Sequence, residues 1–276
     1  MLDKKLMDRI LIGALEEDMP FGDITTDSVI DPDSMSKAKF LAKEEGIIAG
    51  MPVAEETFAL LDPRVRLEVL CPDGTKVKKG DVIAWIEGPT AAILKGERTA
   101  LNLLQRLSGI ATRTHVFASL VQEYPVSVAD TRKTTPGLRY LEKYAVRVGG
   151  GQNHRFCLSD GVMLKDNHIA AAGGILSAVT RVRAKVPHTV KIEVETETLD
   201  MVREAVAAKA DIIMFDNMSE EMMAEAVKIV AGKALTEASG DVTEERIVKI
   251  AQTGVDIISI GRITHSVKSM DISLKF

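Results

Sequence analysis

Apolar residues return at helical spacing from the start of the chain, with Leu2, Leu6, Ile10, Leu11, Ala14 and Leu15 on one stripe. Pro20 and Gly22 close that helix. From Lys37 to Glu87 the pattern changes to strands, KAKFLAKEEGIIAG, RVRLEVL and DVIAWIEG, parted by proline and glycine turns. A short helix, PVAEETFALLD, stands between the first two. From Gly96 a helical stripe runs through Leu101, Leu104, Leu107, Val116, Phe117 and Leu120 toward Glu123, with Gly109 as a candidate break. Beyond it the chain alternates. Apolar, β-branched runs at 126–130, 188–195, 210–216, 233–239 and 254–261 predict strands, and the later ones are separated by TLDMVREAVAAK, SEEMMAEAVKIVA and TEERIVKIAQ, which predict helices. Strands alternating with helices mean βαβ units and a parallel sheet, and buried parallel strands read as such near-continuous apolar runs. Fewer than eight βα units are legible, so the expected fold is an irregular, incomplete α/β barrel preceded by an N-terminal α+β domain to residue 107.

In such barrels the working residues stand at the C-terminal ends of strands. The first strand ends at Asp130 and runs into Thr131–Arg132–Lys133. The others end at Glu195, Asp216–Asn217, Ser239–Gly240–Asp241 and Gly261–Arg262. All five ends carry polar, charged or glycine residues, whereas chance loop polarity would mark only some of them.

Between Asp130 and His168 the charge reverses locally. Arg132, Lys133, Arg139, Lys143, Arg147, His154, Arg155, Lys165 and His168 face only Asp130, Glu142, Asp160 and Asp166. Arg139, Lys143 and Arg147 recur every four residues, which reads as a solvated helix face without a role. Arg132–Lys133, His154–Arg155 and Lys165 lie instead beside glycine and proline, where the backbone approaches a ligand closely and Arg forks match carboxylate or phosphate. The expected substrate is a polyanion. Glu195 and Asp216 are acids inside that basic region, a hard-oxygen pair suited to Mg²⁺ or, equally, to ion pairs with Arg and Lys. The stretch 72–88 has the look of half a carrier hairpin but lacks the modifiable lysine, and reads as a structural β-hairpin with solvated lysines.

Composition narrows the class. At about 150 residues per domain, 276 residues allow one large or two modest domains. Hydrophobic content of 46% with 27% charged residues excludes disorder, and a net charge of −5 argues against a general nucleic-acid binder. No apolar stretch is long enough for a membrane span, and charges interrupt the N-terminal stripe where a signal peptide would be apolar. Cys71 and Cys157, far apart and without paired spacing, fit a reduced cytoplasmic setting.

Taken together, ALEEDMPFGDITT (14–26), GERTALNLLQRLSGIAT (96–112), DTRKTTPGLRYLEKYAVRVGGGQNHR (130–155), LKDNH (164–168), EVE (193–195), FDN (215–217), EASG (237–240) and SIGRITHS (259–266) make the chain resemble the quinolinate phosphoribosyltransferases over essentially its whole length. The resemblance implies an N-terminal open sandwich (1–107), an irregular barrel (108–265) and a tail (266–276) returning to the N-terminal domain, in a homodimer or higher homo-oligomer with a shared active site. It implies that quinolinate and phosphoribosyl pyrophosphate give nicotinate mononucleotide, CO₂ and pyrophosphate with Mg²⁺, in NAD synthesis. By the same resemblance Arg132, His154, Arg155 and Arg98 grip the quinolinate carboxylates. Lys133 and Lys165 serve the phosphates and developing charge. Glu195 and Asp216 hold ribose hydroxyls or Mg²⁺–pyrophosphate, and Ser239, Gly240, Gly261 and Thr264 cradle the 5′-phosphate.

Two positions depart from the family pattern. Asp241 stands where a second glycine is frequent, and is expected to cap TEERIVKIAQ with Glu244 three residues on. Arg262 follows Gly261, where it either adds a phosphate contact or is merely exposed. Other readings stay open at this level: a relative of the same fold that accompanies molybdenum uptake, a barrel lyase using Lys133 or Lys165 as a Schiff base, and a non-catalytic anion-binding module. The last leaves Glu195 and Asp216 unexplained.

Overall fold

A computed structural model describes residues 2–276. Along the chain lie α1 (Lys4–Asp18), α2 (Ile24–Val29), β1 (Met35–Ala42), β2 (Gly46–Ile47), α3 (Met51–Leu61), β3 (Arg66–Val69), β4 (Lys76–Val77), β5 (Val82–Pro89) and α4 (Thr90–Leu120). Then come β6 (Ser127–Ala129), α5 (Arg139–Val148), β7 (Val162–Leu164), α6 (Asp166–Ala172), α7 (Ile175–Arg183), β8 (Ile192–Thr196) and α8 (Leu199–Ala207). The chain closes with β9 (Ile212–Asp216), α9 (Glu220–Val230), β10 (Leu235–Ser239), α10 (Glu244–Gln252), β11 (Ile257–Ser259), α11 (Arg262–His265) and β12 (Ile272–Lys275).

Contacts divide the chain into two units that are not split at one point in sequence. The first comprises 1–115, 134–150 and 263–276, and the second 116–133 and 151–262. The division therefore differs from one drawn at 107 and 265. The segment carrying α5 packs with the first unit although it lies between strands of the second.

In the first unit an antiparallel sheet runs β12-β1-β5-β3, with β2 and β4 paired separately. Strand β1 alternates, burying Ala38, Phe40 and Ala42, and these pack with Phe58 of α3, Ile83 and Ile86 of β5 and Ile93 and Leu104 of α4. The tail enters this core through β12, which pairs with β1 from Lys39–Lys275 to Ala42–Ile272 and buries Ile272 and Leu274. Two expectations are corrected here. The stretch 72–88 is not a hairpin, since β4 pairs with β2 while β5 pairs with β1 and β3. Gly109 does not break α4 but is where the helix meets Lys268, whose carbonyl oxygen would lie 2.3 Å from any Cβ added there.

In the second unit six parallel strands run β6-β11-β10-β9-β8-β7, and Gln152 adds a parallel bridge to Ala129 at the β6 edge. Helices α6 to α10 alternate with the strands, giving the incomplete α/β barrel. Strand β7 escaped the sequence reading, because three residues after Gly161 offer no window in which alternation shows.

Candidate active site

The register of the parallel sheet decides which side chains meet. Glu195 pairs with Met214, Glu237 with Met214, and Ser239 with Asp216, so on β8, β9 and β10 the residues Glu193 and Glu195, Met214 and Asp216, and Glu237 and Ser239 share one face. Met163 pairs with Glu193, which places Lys165 beside Glu195 one step past the end of β7. Lys165 Nζ ion-pairs with Glu195 Oε2, and Asp216 Oδ2 accepts a hydrogen bond from Asn217 Nδ2 at 2.8 Å. Glu195 is thus a neutralised acid beside an anchored lysine, and Asp216 is its half-buried neighbour one strand along.

At the other edge, Asp130 follows β6 directly and is fully buried, with both carboxylate oxygens turned to the 153–155 segment. Its Oδ1 accepts the N–H of His154 at 2.8 Å and its Oδ2 accepts Asn153 Nδ2 at 2.8 Å, which docks the Asn153–Arg155 segment against the strand end. Arg155 donates through a guanidinium nitrogen to the carbonyl of Gly161 at 2.8 Å. Burial holds its pKa below the usual arginine value, the nearby Arg132 charge lowers it further, and Glu193 acts in the opposite direction. Two guanidiniums close enough to repel each other in a half-buried site form a receptor for more than one negative charge.

His154 is placed otherwise than the family resemblance suggests. Its Nδ1 accepts the N–H of Arg155 at 2.8 Å, and its Nε2 lies 3.0 Å from Glu193 Oε2 and 3.6 Å from Glu237 Oε1. Both nitrogens are directed into the protein. An Nδ1 that accepts carries no proton, so the ring is a neutral Nε2–H tautomer rather than a third outward cation. Glu237 is pushed up to about 7 by burial and by the Glu193 charge, with the Ser259 hydrogen bond acting in the opposite direction. Glu193 and Glu237 stand in the EVE and EASG segments, where the sequence assigns neither of them a role. The signal was there in the IEVET alternation, which puts Glu193 on the face of Glu195 in the middle of a buried strand.

The remaining candidates are distributed as follows. Lys133 is exposed just past β6, its N–H donating to Thr131 Oγ1 at 3.0 Å. Ser239 ends β10, and Gly240 follows at φ +93° against Asn217. Gly261 is half-buried two residues beyond β11, the strand next to β10. Arg98 and Thr264 belong to the other contact unit, Arg98 exposed on α4 and Thr264 buried on α11 with its carbonyl accepting Arg106 at 3.3 Å.

Three readings change. Asp241 does not cap α10, whose N-cap is Thr243. It sits exposed at φ +44°, 3.7 Å from Arg262, so the two departures from the family pattern face each other as an ion pair. Arg139, Lys143 and Arg147 do not form one solvated face, because Lys143 is buried along with Glu142. All three also lie outside the unit that carries Arg132 and Arg155. The local basic run in sequence is therefore divided between the two units.

The chain matches the family described as quinolinate phosphoribosyl transferase, C-terminal domain, over residues 110–275, and its N-terminal domain over 23–108. It is 49% identical over 271 residues to a Bacillus subtilis protein named "Probable nicotinate-nucleotide pyrophosphorylase (carboxylating)", covering 98% of this chain and 92% of that one. A Nicotiana tabacum protein named quinolinate phosphoribosyltransferase (decarboxylating) 1b is 45% identical, with 95% of this chain and 80% of that one covered. The crystal structure of NadC from Streptococcus pyogenes superposes with a TM-score of 0.97 at 43% identity, covering 100% of this chain and 98% of that one.

Proposed function

The chain belongs to the quinolinate phosphoribosyltransferase family, and from that premise we infer its reaction and the residues that perform it. It is a pentosyltransferase, the carboxylating nicotinate-nucleotide pyrophosphorylase of NAD synthesis. Quinolinate and phosphoribosyl pyrophosphate give nicotinate mononucleotide, CO₂ and pyrophosphate. The observation that carries the substrate assignment is the half-buried pair Arg132 and Arg155, whose mutual repulsion is relieved by a ligand with two carboxylates. That pairing favours a pyridine dicarboxylate over a monocarboxylate.

In this reading Arg132 and Arg155 hold the carboxylates and orient the ring nitrogen toward the ribose, with Arg98 joining them in a shared site of a homodimer. His154 acts from behind. Lys165, fixed by Glu195, and Lys133 face the phosphates, where their charges offset the negative charge that develops as pyrophosphate leaves. Ser239, Gly240, Gly261 and Thr264 hold the 5′-phosphate through backbone N–H groups. Glu195 and Asp216 supply hard oxygens that fit Mg²⁺. Since one is ion-paired with Lys165 and the other bonded to Asn217, they suit an ion held chiefly by pyrophosphate and water. Mg²⁺ when bound neutralises the leaving group. After transfer the positive charge of the quaternised ring nitrogen stabilises the electron pair left on C2 as the C2–carboxylate bond breaks and CO₂ departs, and C2 then takes up a proton. The residues' task is orientation of the ring and exclusion of water until then. No step calls for a covalent enzyme intermediate.

The homodimer is supported by apolar side chains left in water on the first unit, Phe21, Ile24 and Val29. Among the described residues no helix is long and apolar enough to cross a membrane, and both cysteines are free thiols, in keeping with work in the cytoplasm. The test is incubation with quinolinate, phosphoribosyl pyrophosphate and Mg²⁺, following nicotinate mononucleotide and CO₂ together. Both products form, and none arises from nicotinic acid. Failure with quinolinate alongside turnover of another acceptor would overturn the reading.

A further inference from the structure

We infer that Glu193 and Glu237 are positioning residues of the dicarboxylate site, fixing the ring of His154 and, through it, the segment that presents Arg155. This rests on the reading of Arg132 and Arg155 as the carboxylate receptor. Glu193 on β8 and Glu237 on β10 stand either side of β9, are 3% and 1% exposed, and each leaves its Oε1 without a hydrogen-bond partner. The ligand atoms of His154, Glu193 and Glu237 lie within 4.8 Å of one another, a spacing that also suits a divalent cation. The tautomer decides between the two uses. With Nδ1 accepting the Arg155 N–H, the ring proton is on Nε2, where it points at the two carboxylates and leaves no lone pair for a metal.

The ring is thus a strut between the sheet and the substrate segment. At one end Nε2 is held by the acids. At the other Nδ1 receives the N–H of Arg155, while Asp130 takes the N–H of His154 and the amide of Asn153. Glu193 also offsets electrostatically the repulsion that Arg132 imposes on Arg155. For folding alone the pair is unfavourable, because two buried carboxylates repel and keep unsatisfied oxygens. Amides of the same size would serve packing better, so the acids are explained by the site rather than by the sheet.

The test uses the full-length enzyme and its two substrates. Wild-type turnover is measured first, since its absence overturns the functional reading and this inference with it. Given turnover, Glu193→Ala raises the KM for quinolinate by about tenfold, the size of one lost charged hydrogen bond, with the KM for phosphoribosyl pyrophosphate little changed. Glu193→Gln, which keeps an acceptor for Nε2–H, recovers most of that affinity. Both Glu193→Gln and Glu237→Gln melt above wild type, by about 2–4 °C. Should the alanine variant not fold, ¹⁵N spectra of the His154 ring carry the test through the glutamine variants, with Nε2 protonated and Nδ1 bare. Unchanged quinolinate KM, equal rises in both KM values, lower melting of the glutamine variants, or a ring protonated at Nδ1 would each sink the inference. So would Zn²⁺ or Mn²⁺ binding that displaces the Nε2 proton, which would make the cluster a metal site.

Discussion

Gly240 shows how narrowly one residue can be specified. It lies at φ +93°, and a Cβ there would stand 2.1 Å from Asn217 Oδ1 and 2.9 Å from the Asn217 backbone nitrogen. Because Asn217 is itself at φ +53° with its N–H bonded to the Ser239 carbonyl, it has little room to retreat. Gly240→Ala is therefore expected to cost roughly 2–4 kcal/mol from overpacking and left-handed strain together, read by denaturant unfolding, with a raised KM for phosphoribosyl pyrophosphate. The next residue runs the other way. Asp241 holds an exposed left-handed conformation without glycine's freedom, so Asp241→Gly relieves about 1 kcal/mol of strain. It also removes an acid beside the proposed phosphate cradle, and the expected result is a lower KM for phosphoribosyl pyrophosphate. Arg132→Ala is expected to abolish quinolinate binding, by calorimetry, while the circular-dichroism spectrum stays that of the folded protein.

Among the elements, legibility followed length and alternation. Strands β8, β9 and β10 were visible because each carries five residues between clear helical segments, with buried apolar side chains such as Ile192, Val194, Ile213, Phe215 and Ala238 among them. Their acids at Glu195 and Asp216 were visible because they stand at or one residue before the C-terminal ends of those strands. The three-residue β7 was not, and with it went the reason that Lys165 meets Glu195. Pairing partners were equally hidden, since sequence neighbours predict a hairpin at 72–88 while the chain joins β4 to β2. Helix α5 reads as amphipathic by spacing, yet Lys143 is buried, a tertiary outcome that periodicity does not encode. The tail is an element whose partner lies far off in sequence. Ile272 on β12 is 2% exposed against β1 in the core of the first unit, so Ile272→Ala is expected to destabilise by roughly 2–5 kcal/mol.

At the level of the molecule, the division into units explains why a single basic stretch from Asp130 to His168 misleads. Residues 134–150 leave the sheet unit and return to it at Gly151, taking Arg139, Lys143 and Arg147 with them. No local rule of spacing announces that excursion. What remains at the sheet is a short list of cations, and the proposed metal dependence follows from it: with so few positive charges for a pentaanionic substrate, activity is expected to vanish with EDTA and return with Mg²⁺.

The buried acids also set how the whole protein responds to pH. Several surface carboxylates have lowered pKa values, Asp62 to about 2 through its hydrogen bonds with Arg64 and Asp23 through its bonds to Thr26. Their contributions are present above the ordinary carboxylate range and are lost as pH falls through their folded values. Glu237 has the opposite sign. With its pKa pushed up to about 7 from an ordinary 4.5, the folded protein keeps a proton that the unfolded chain releases, so its penalty grows as pH rises from 4.5 to 7 and is complete above that. Glu237→Gln removes the titrating group without removing bulk. Melting temperatures of wild type and variant should therefore coincide near pH 4.5 and separate as pH rises, with the variant higher and the gap constant beyond pH 7. A gap that is the same at every pH would mean that Glu237 titrates alike in the folded and unfolded protein.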